Sequence, residues 1–133
     1  MSHENVELAR QALDAFSRDG VSGLLAFLDP NIEWVSIPGF LPDAEDRRGH
    51  AGVIGWFEQI GELFDDTRWE AREFVVSGDR LMIASTVSGR GRVSGAVAET
   101  ALFHAITVRD GRVVRFESYL ERDEALEAVG LRG

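Results

Sequence analysis

The chain contains no cysteine. That absence removes disulfides, thiolate metal ligands and thiol nucleophiles from consideration. A basic surplus is missing too: 14 Lys and Arg stand against 23 Asp and Glu, for a formal charge of -9 at pH 7. Nucleic acids and anionic membrane surfaces need clustered cations to neutralise phosphates, so neither is an expected partner. The segment Gly89-Arg90-Gly91-Arg92 does not alter this, because one such tetrapeptide in an acidic chain is better read as glycine easing a bend in a curved sheet. No apolar run approaches the ~18 residues of a membrane span, and Met1-Ser2-His3-Glu4-Asn5 lacks the basic start of a signal peptide. A cytoplasmic protein is therefore expected. His3, His50 and His104 fall into no metal-ligand spacing and no acidic loop motif accompanies them, so neither metal nor cofactor is expected.

What is present is a globular composition, 44% hydrophobic and 28% charged over 133 residues, which rules out a disordered chain and suits a single domain, 1–133. Apolar residues at Val6, Ala9, Leu13 and Phe16 predict a helix beginning at a Ser2 cap and ending at Asp19-Gly20. A short helix follows from Val21 to Leu28 and stops at Asp29-Pro30-Asn31. A strand is expected over Ile32 to Ile37, with Ile32, Trp34 and Ser36 on one face. Phe40 to Arg48 reads as an exposed loop able to close over something. After Gly49, the residues Val53, Trp56, Phe57, Ile60, Leu63 and Phe64 form one helical stripe. Strands Thr67 to Val76 and Leu81 to Arg92 precede a final hairpin, and a last helix near Glu121 ends at Gly130 with Leu131 able to clasp Leu126. This order implies an α+β domain in which helices pack on a curved antiparallel sheet.

The hairpin sets the register. Ala98 to Val108 and Val113 to Leu120 flank Arg109-Asp110-Gly111-Arg112, and Asp-Gly between β-rich runs is a strong signal for a two-residue turn. Unbroken counting places His104 opposite Glu117 and Phe103 opposite Ser118. One face then carries Ala101, Phe103, Ala105, Thr107, Val114, Phe116 and Ser118. The other carries Leu102, His104, Ile106, Val108, Val113, Arg115, Glu117 and Tyr119, a face too apolar for solvent and too charged for a core, which predicts pairing with a second copy. Continued through Ser94-Gly95, the count sets Arg90 opposite Glu99 and brings Thr86 and Ser88 onto the Phe116 face.

Three stretches carry a family resemblance: Phe27-Leu28-Asp29-Pro30-Asn31-Ile32-Glu33-Trp34, Arg48-Gly49-His50, and Val108 through Tyr119. With these the chain resembles the nuclear-transport-factor-2-like superfamily and, within it, the SnoaL-like proteins. The resemblance implies a cone-shaped half-barrel with a pocket between the concave sheet face and the helices, and a homodimer, usually through the convex face. It leaves the chemistry open, because the fold hosts ketosteroid isomerases, polyketide cyclases, limonene epoxide hydrolases, dehydratases and non-catalytic binders. Carried over by position, the catalytic aspartate of the cyclases and epoxide hydrolases falls at Ser118, and the polar groups that hold a hydrolase's water fall at Trp34 and Ser36. The isomerase acid falls at Ala105. The acids that those enzymes use are not at these positions.

The residues thus define two candidate sites. Trp34, Trp56, Phe57, Phe103 and Phe116 are core residues by type, and the same types build a cavity floor; Ser36, Thr86 and Ser118 would be its polar points, with Arg90 at the mouth. Arg90 with Glu99 reads either as a rim ion pair or as an anchor for a carboxylate or enolate. His104 with Glu117 reads either as a cross-strand pair at a surface or dimer interface, or as a catalytic dyad. Three functions follow. The first is binding of an apolar or aromatic small molecule in a mostly hydrophobic cavity; the second is a cyclase-, isomerase- or epoxide hydrolase-like enzyme; the third is a dimeric interaction domain with a merely packed interior.

Overall fold

The computed structural model describes residues 2–37 and 46–131. Its elements are α1 (Ser2–Asp19), α2 (Val21–Leu25), β1 (Leu28–Val35), β2 (Arg47–Arg48), α3 (Gly49–Leu63), β3 (Phe64–Ser77), β4 (Arg80–Gly91), β5 (Val97–Arg109), β6 (Arg112–Tyr119) and α4 (Arg122–Ala128). The strands form one open sheet in the order β2-β1-β6-β5-β4-β3. Strands β3 to β6 make the expected antiparallel meander. Strand β1 joins β6 in parallel, so the sheet is mixed. The proposed closing loop, Phe40 to Arg48, lies outside the described residues except at its end, where Asp46 accepts a hydrogen bond from the Ser36 backbone and Arg47-Arg48 pairs with β1. Among the described residues no helix is long and apolar enough to cross a membrane.

Burial divides the molecule into two layers on opposite faces of this sheet. On the inner face Ile32, Trp34, Leu81, Ile83, Ile106, Val108, Val113 and Phe116 pack against Ala9 and Ala12 of α1, Leu24 of α2 and Val53 of α3. The small residues Ala9 and Ala12 let α1 lie close, while Trp56 and Phe57 of α3 fill the wider part of the cone. On the outer face Met82, Ala84 and Ala105 pack under Ala125, Leu126 and Val129 of the α4 segment. That helix ends as its sequence predicts, with Gly130 at φ 88 and the Leu131 N–H donating to the Leu126 carbonyl at 2.8 Å.

Several expectations change. Strand β1 begins earlier than Ile32, at Leu28, and is irregular between Leu28 and Glu33. Leu63 is 40% exposed and Phe64 opens β3, so the α3 stripe stops at Ile60. The β4–β5 connection is longer than the Ser94-Gly95 turn, closing through Gly91 N–H to the Ala96 carbonyl at 2.9 Å. Arg90 therefore pairs with Val97, and Glu99 faces Ser88. The β5–β6 turn is the one foreseen, with positive φ at Asp110 and Gly111 and Arg109 opposite Arg112. Past Val108–Val113, however, β6 carries one extra residue, and from there Thr107 faces Arg115, Ile106 faces Phe116 and His104 faces Ser118. A one-residue bulge moves every later side chain of β6 to the other face relative to β5. The face expected to pair with a second copy is thereby split: Leu102, Ile106, Val108 and Val113 are buried in the interior, and Arg115, Glu117 and Tyr119 lie outside.

Candidate functional site

Between the sheet and α3 lies a cavity of about 150 Å³. Its walls are mostly carbon, because the inward positions of β1, β6 and α3 are aromatic: Trp34, Phe116, Trp56 and Phe57, joined by Trp69 of β3. The rings hold one another in place. Trp34 stacks on Phe116 with centroids 4.1 Å apart, Trp56 meets Phe57 edge-on at 5.0 Å, and Trp69 meets Phe116 edge-on at 5.7 Å. Among the described residues Arg68, near the start of β3, is the one charged residue of the lining, and it lies 3.8 Å from Asp66.

One polar chain crosses this aromatic interior. Ser85 of β4, His104 of β5 and Ser118 of β6 all point inward from adjacent strands. His104 Nε2 is 2.8 Å from Ser85 Oγ, and its Nδ1 is 2.9 Å from Ser118 Oγ. Ser85 Oγ donates onward to the Leu102 carbonyl at 3.3 Å. Among the described residues, Ser85 at 1% and His104 at 2% exposure are the only buried polar ones. Trp69 packs edge-on against the imidazole at 5.2 Å and Phe116 stacks on it at 4.8 Å. Sealed between rings, with no carboxylate beside it among the described residues, the imidazole is pushed down to about 3 by the cost of burying its charge. His104 is accordingly neutral near pH 7.

The expected site residues separate in a simple way. Trp34, Ser36, Trp56, Phe57, Phe116 and Ser118 line the cavity. Phe103, Thr86 and Arg90 do not. Phe103 faces outward and packs with the α4 cluster, and Thr86 faces outward to accept a hydrogen bond from Arg72. Arg90, on the same outward side of β4, is exposed and has no Glu99 opposite it. The His104–Glu117 pair is not formed, because the β6 bulge turns Glu117 to the outer face. There Glu117 accepts from Arg115 at 2.8 Å and from Tyr119 at 2.5 Å, and Arg115 also pairs with Glu33. Burial and the hydrogen bond to Glu117 push the Tyr119 phenol up to about 12. Trp69 and Ser85 escaped the sequence reading, and Leu102 was placed on the face expected to pair with a second copy. The signal for them was the apolar character of Leu102, Ile106 and Val108, which marks the inner side of β5 and hence of its partners on β4 and β3.

A family model described as the SnoaL-like domain matches residues 9–116. Among solved structures, an NTF2-like protein of unknown function from Burkholderia pseudomallei is 26% identical, with a TM-score of 0.80 over 96% of this chain and 98% of that one. An NTF2-like protein from Burkholderia xenovorans is 29% identical, with a TM-score of 0.74 over 97% of each chain. TerC, co-crystallised with polyporic acid, is 25% identical, with a TM-score of 0.80 over 95% of this chain and 98% of that one. No curated protein matches the chain.

Proposed function

The chain belongs to the SnoaL-like domain family, and on that premise we propose that it binds a small apolar or aromatic molecule in the cavity between the sheet and α3. The observation that carries this is the cavity itself: about 150 Å³ walled by Trp34, Trp56, Phe57, Trp69 and Phe116, with Ser118, at the end of the His104 chain, among its polar points. A space of that size suits a molecule about as large as benzene, held by ring contact and oriented by one hydrogen bond. TerC, in complex with an organic acid on the same fold, supports a small-molecule role. The same reading takes the chain as one domain and a cytoplasmic homodimer without nucleic-acid or membrane partners; its net charge of -9 supports the last point. The dimer surface is then the outer face of β5 and β6 beside α4, since the apolar residues first assigned to it are interior.

A second reading, an enzyme of the cyclase, isomerase or epoxide hydrolase kind, is favoured by the 2.9 Å contact between Ser118 and His104 on the cavity wall. Its limit is basicity. An imidazole near pKa 3 takes a proton from serine poorly, and its other nitrogen meets a serine instead of a carboxylate that would stabilise the charged ring. Thermal melts separate the readings from a merely packed interior. Toluene at a hundredfold excess over its Kd should stabilise the protein by about 2.7 kcal/mol. Val87→Phe, which fills the cavity from β4, should abolish that gain, and wild-type protein that ignores small aromatic molecules would sink the proposal.

A further inference from the structure

The polar chain has a direction, and it fixes what the cavity asks of its ligand. A main-chain carbonyl only accepts, so the hydrogen bond at 3.3 Å commits the Ser85 hydroxyl proton to Leu102. Ser85 Oγ is then the acceptor of the 2.8 Å contact, and His104 Nε2 carries the ring proton. A neutral imidazole has one N–H, which leaves Nδ1 bare to accept from the Ser118 hydroxyl at 2.9 Å. All three donors of the chain are paired in this arrangement.

The reverse arrangement fails on the same count. If Ser85 donated to Nε2 and Nδ1–H donated to Ser118, the single Ser85 proton would leave the Leu102 carbonyl, and the chain would keep two hydrogen bonds instead of three. A doubly protonated ring is excluded by its surroundings, since Trp69 and Phe116 enclose it and Glu117, the neighbour of Ser118 on β6, is on the other face. Building on the binding reading above, we infer that Ser118 Oγ is a pure hydrogen-bond acceptor toward the cavity, so the ligand group that meets Ser118 is a hydroxyl or N–H donor, as in a phenol, and a carbonyl oxygen is not what Ser118 holds.

Two measurements on the intact protein test this. Long-range ¹H–¹⁵N correlation of the His104 ring should show the proton on Nε2 and none on Nδ1; a proton on Nδ1 overturns the inference and leaves the binding reading standing. Calorimetry with toluene, phenol and benzaldehyde then compares wild type with Ser118→Ala. One neutral hydrogen bond amounts to about a fivefold preference. Phenol should lose about that factor relative to toluene in Ser118→Ala, whereas benzaldehyde should lose nothing. Toluene and phenol responding alike, or benzaldehyde being the ligand that suffers, overturns the donor requirement alone. Failure of all three to bind wild type overturns the binding reading and this inference with it.

Discussion

Two polar chains run on opposite faces of the sheet and meet at strand β6, and they behave in opposite ways. Inside, Ser85, His104 and Ser118 form a neutral relay enclosed by aromatic rings. Outside, Glu33, Arg115, Glu117 and Tyr119 form a charged one, reached by water, with side-chain exposures of 42% at both Arg115 and Glu33. On β6 their residues alternate, Arg115, Glu117 and Tyr119 with Phe116 and Ser118. The difference is therefore set by which way the pleat turns, and on the inner side burial decides protonation: an imidazole that would titrate near neutrality in water is locked neutral, while the Glu117 side chain one strand away bonds to arginine on the open side.

The sharpest way to break the comparison is to make the same exchange on each face. His104→Glu forces a carboxylate between Trp69 and Phe116, and an unpaired buried charge costs about 3–5 kcal/mol, much of a small domain's stability. Glu117→His on the outer face should cost about 1 kcal/mol. Urea unfolding midpoints compare the two; equal costs would show that the hairpin faces are misassigned.

Acid gives a smaller, graded effect. His104 has a folded pKa of about 3 against an ordinary value of 6.5, so the unfolded chain takes up a proton first as pH falls. Its contribution is complete above pH 6.5 and is lost toward pH 3, at roughly 1.4 kcal/mol per pH unit within that window. Urea midpoints at pH 7, 6 and 5 should fall accordingly in wild type, and His104→Leu should remove that part of the slope. A slope identical in both proteins would contradict a sealed imidazole. The smallest change belongs to the outer chain. Arg115→Met should cost under about 1 kcal/mol and should cost less at high salt, because exposed pairs are screened; a salt-independent loss would mean that this network is more enclosed than its exposure indicates.

The helices, the meander, the Asp110-Gly111 turn and the aromatic cavity wall were legible because each has a local cause: periodicity, turn chemistry or side-chain size. The polar end was not, because its assembly depends on one extra residue in β6. Val113 and Phe116 are both buried although they lie three apart, a spacing that regular alternation forbids. Counting through that irregularity sends His104 to the wrong face and invents a partnership with Glu117. The conflict was visible in the residues themselves. Leu102, Ile106 and Val108 mark one side of β5 as interior, Phe116 marks one side of β6, and only a bulge satisfies both. The β4–β5 register slipped for a different reason, a longer connection between Gly91 and Ala96, and a shift of two residues left the faces intact.

The distribution of aromatic residues gives the sheet a built-in optical partition. All three tryptophans, Trp34, Trp56 and Trp69, line the cavity, and the single tyrosine, Tyr119, sits on the opposite face bonded to Glu117. Indole emission from this protein therefore originates entirely at the inner wall and phenol emission entirely at the outer one. A molecule entering the cavity perturbs the first signal, and a second subunit covering the outer face perturbs the second, so each event is reported by its own fluorophore without any label.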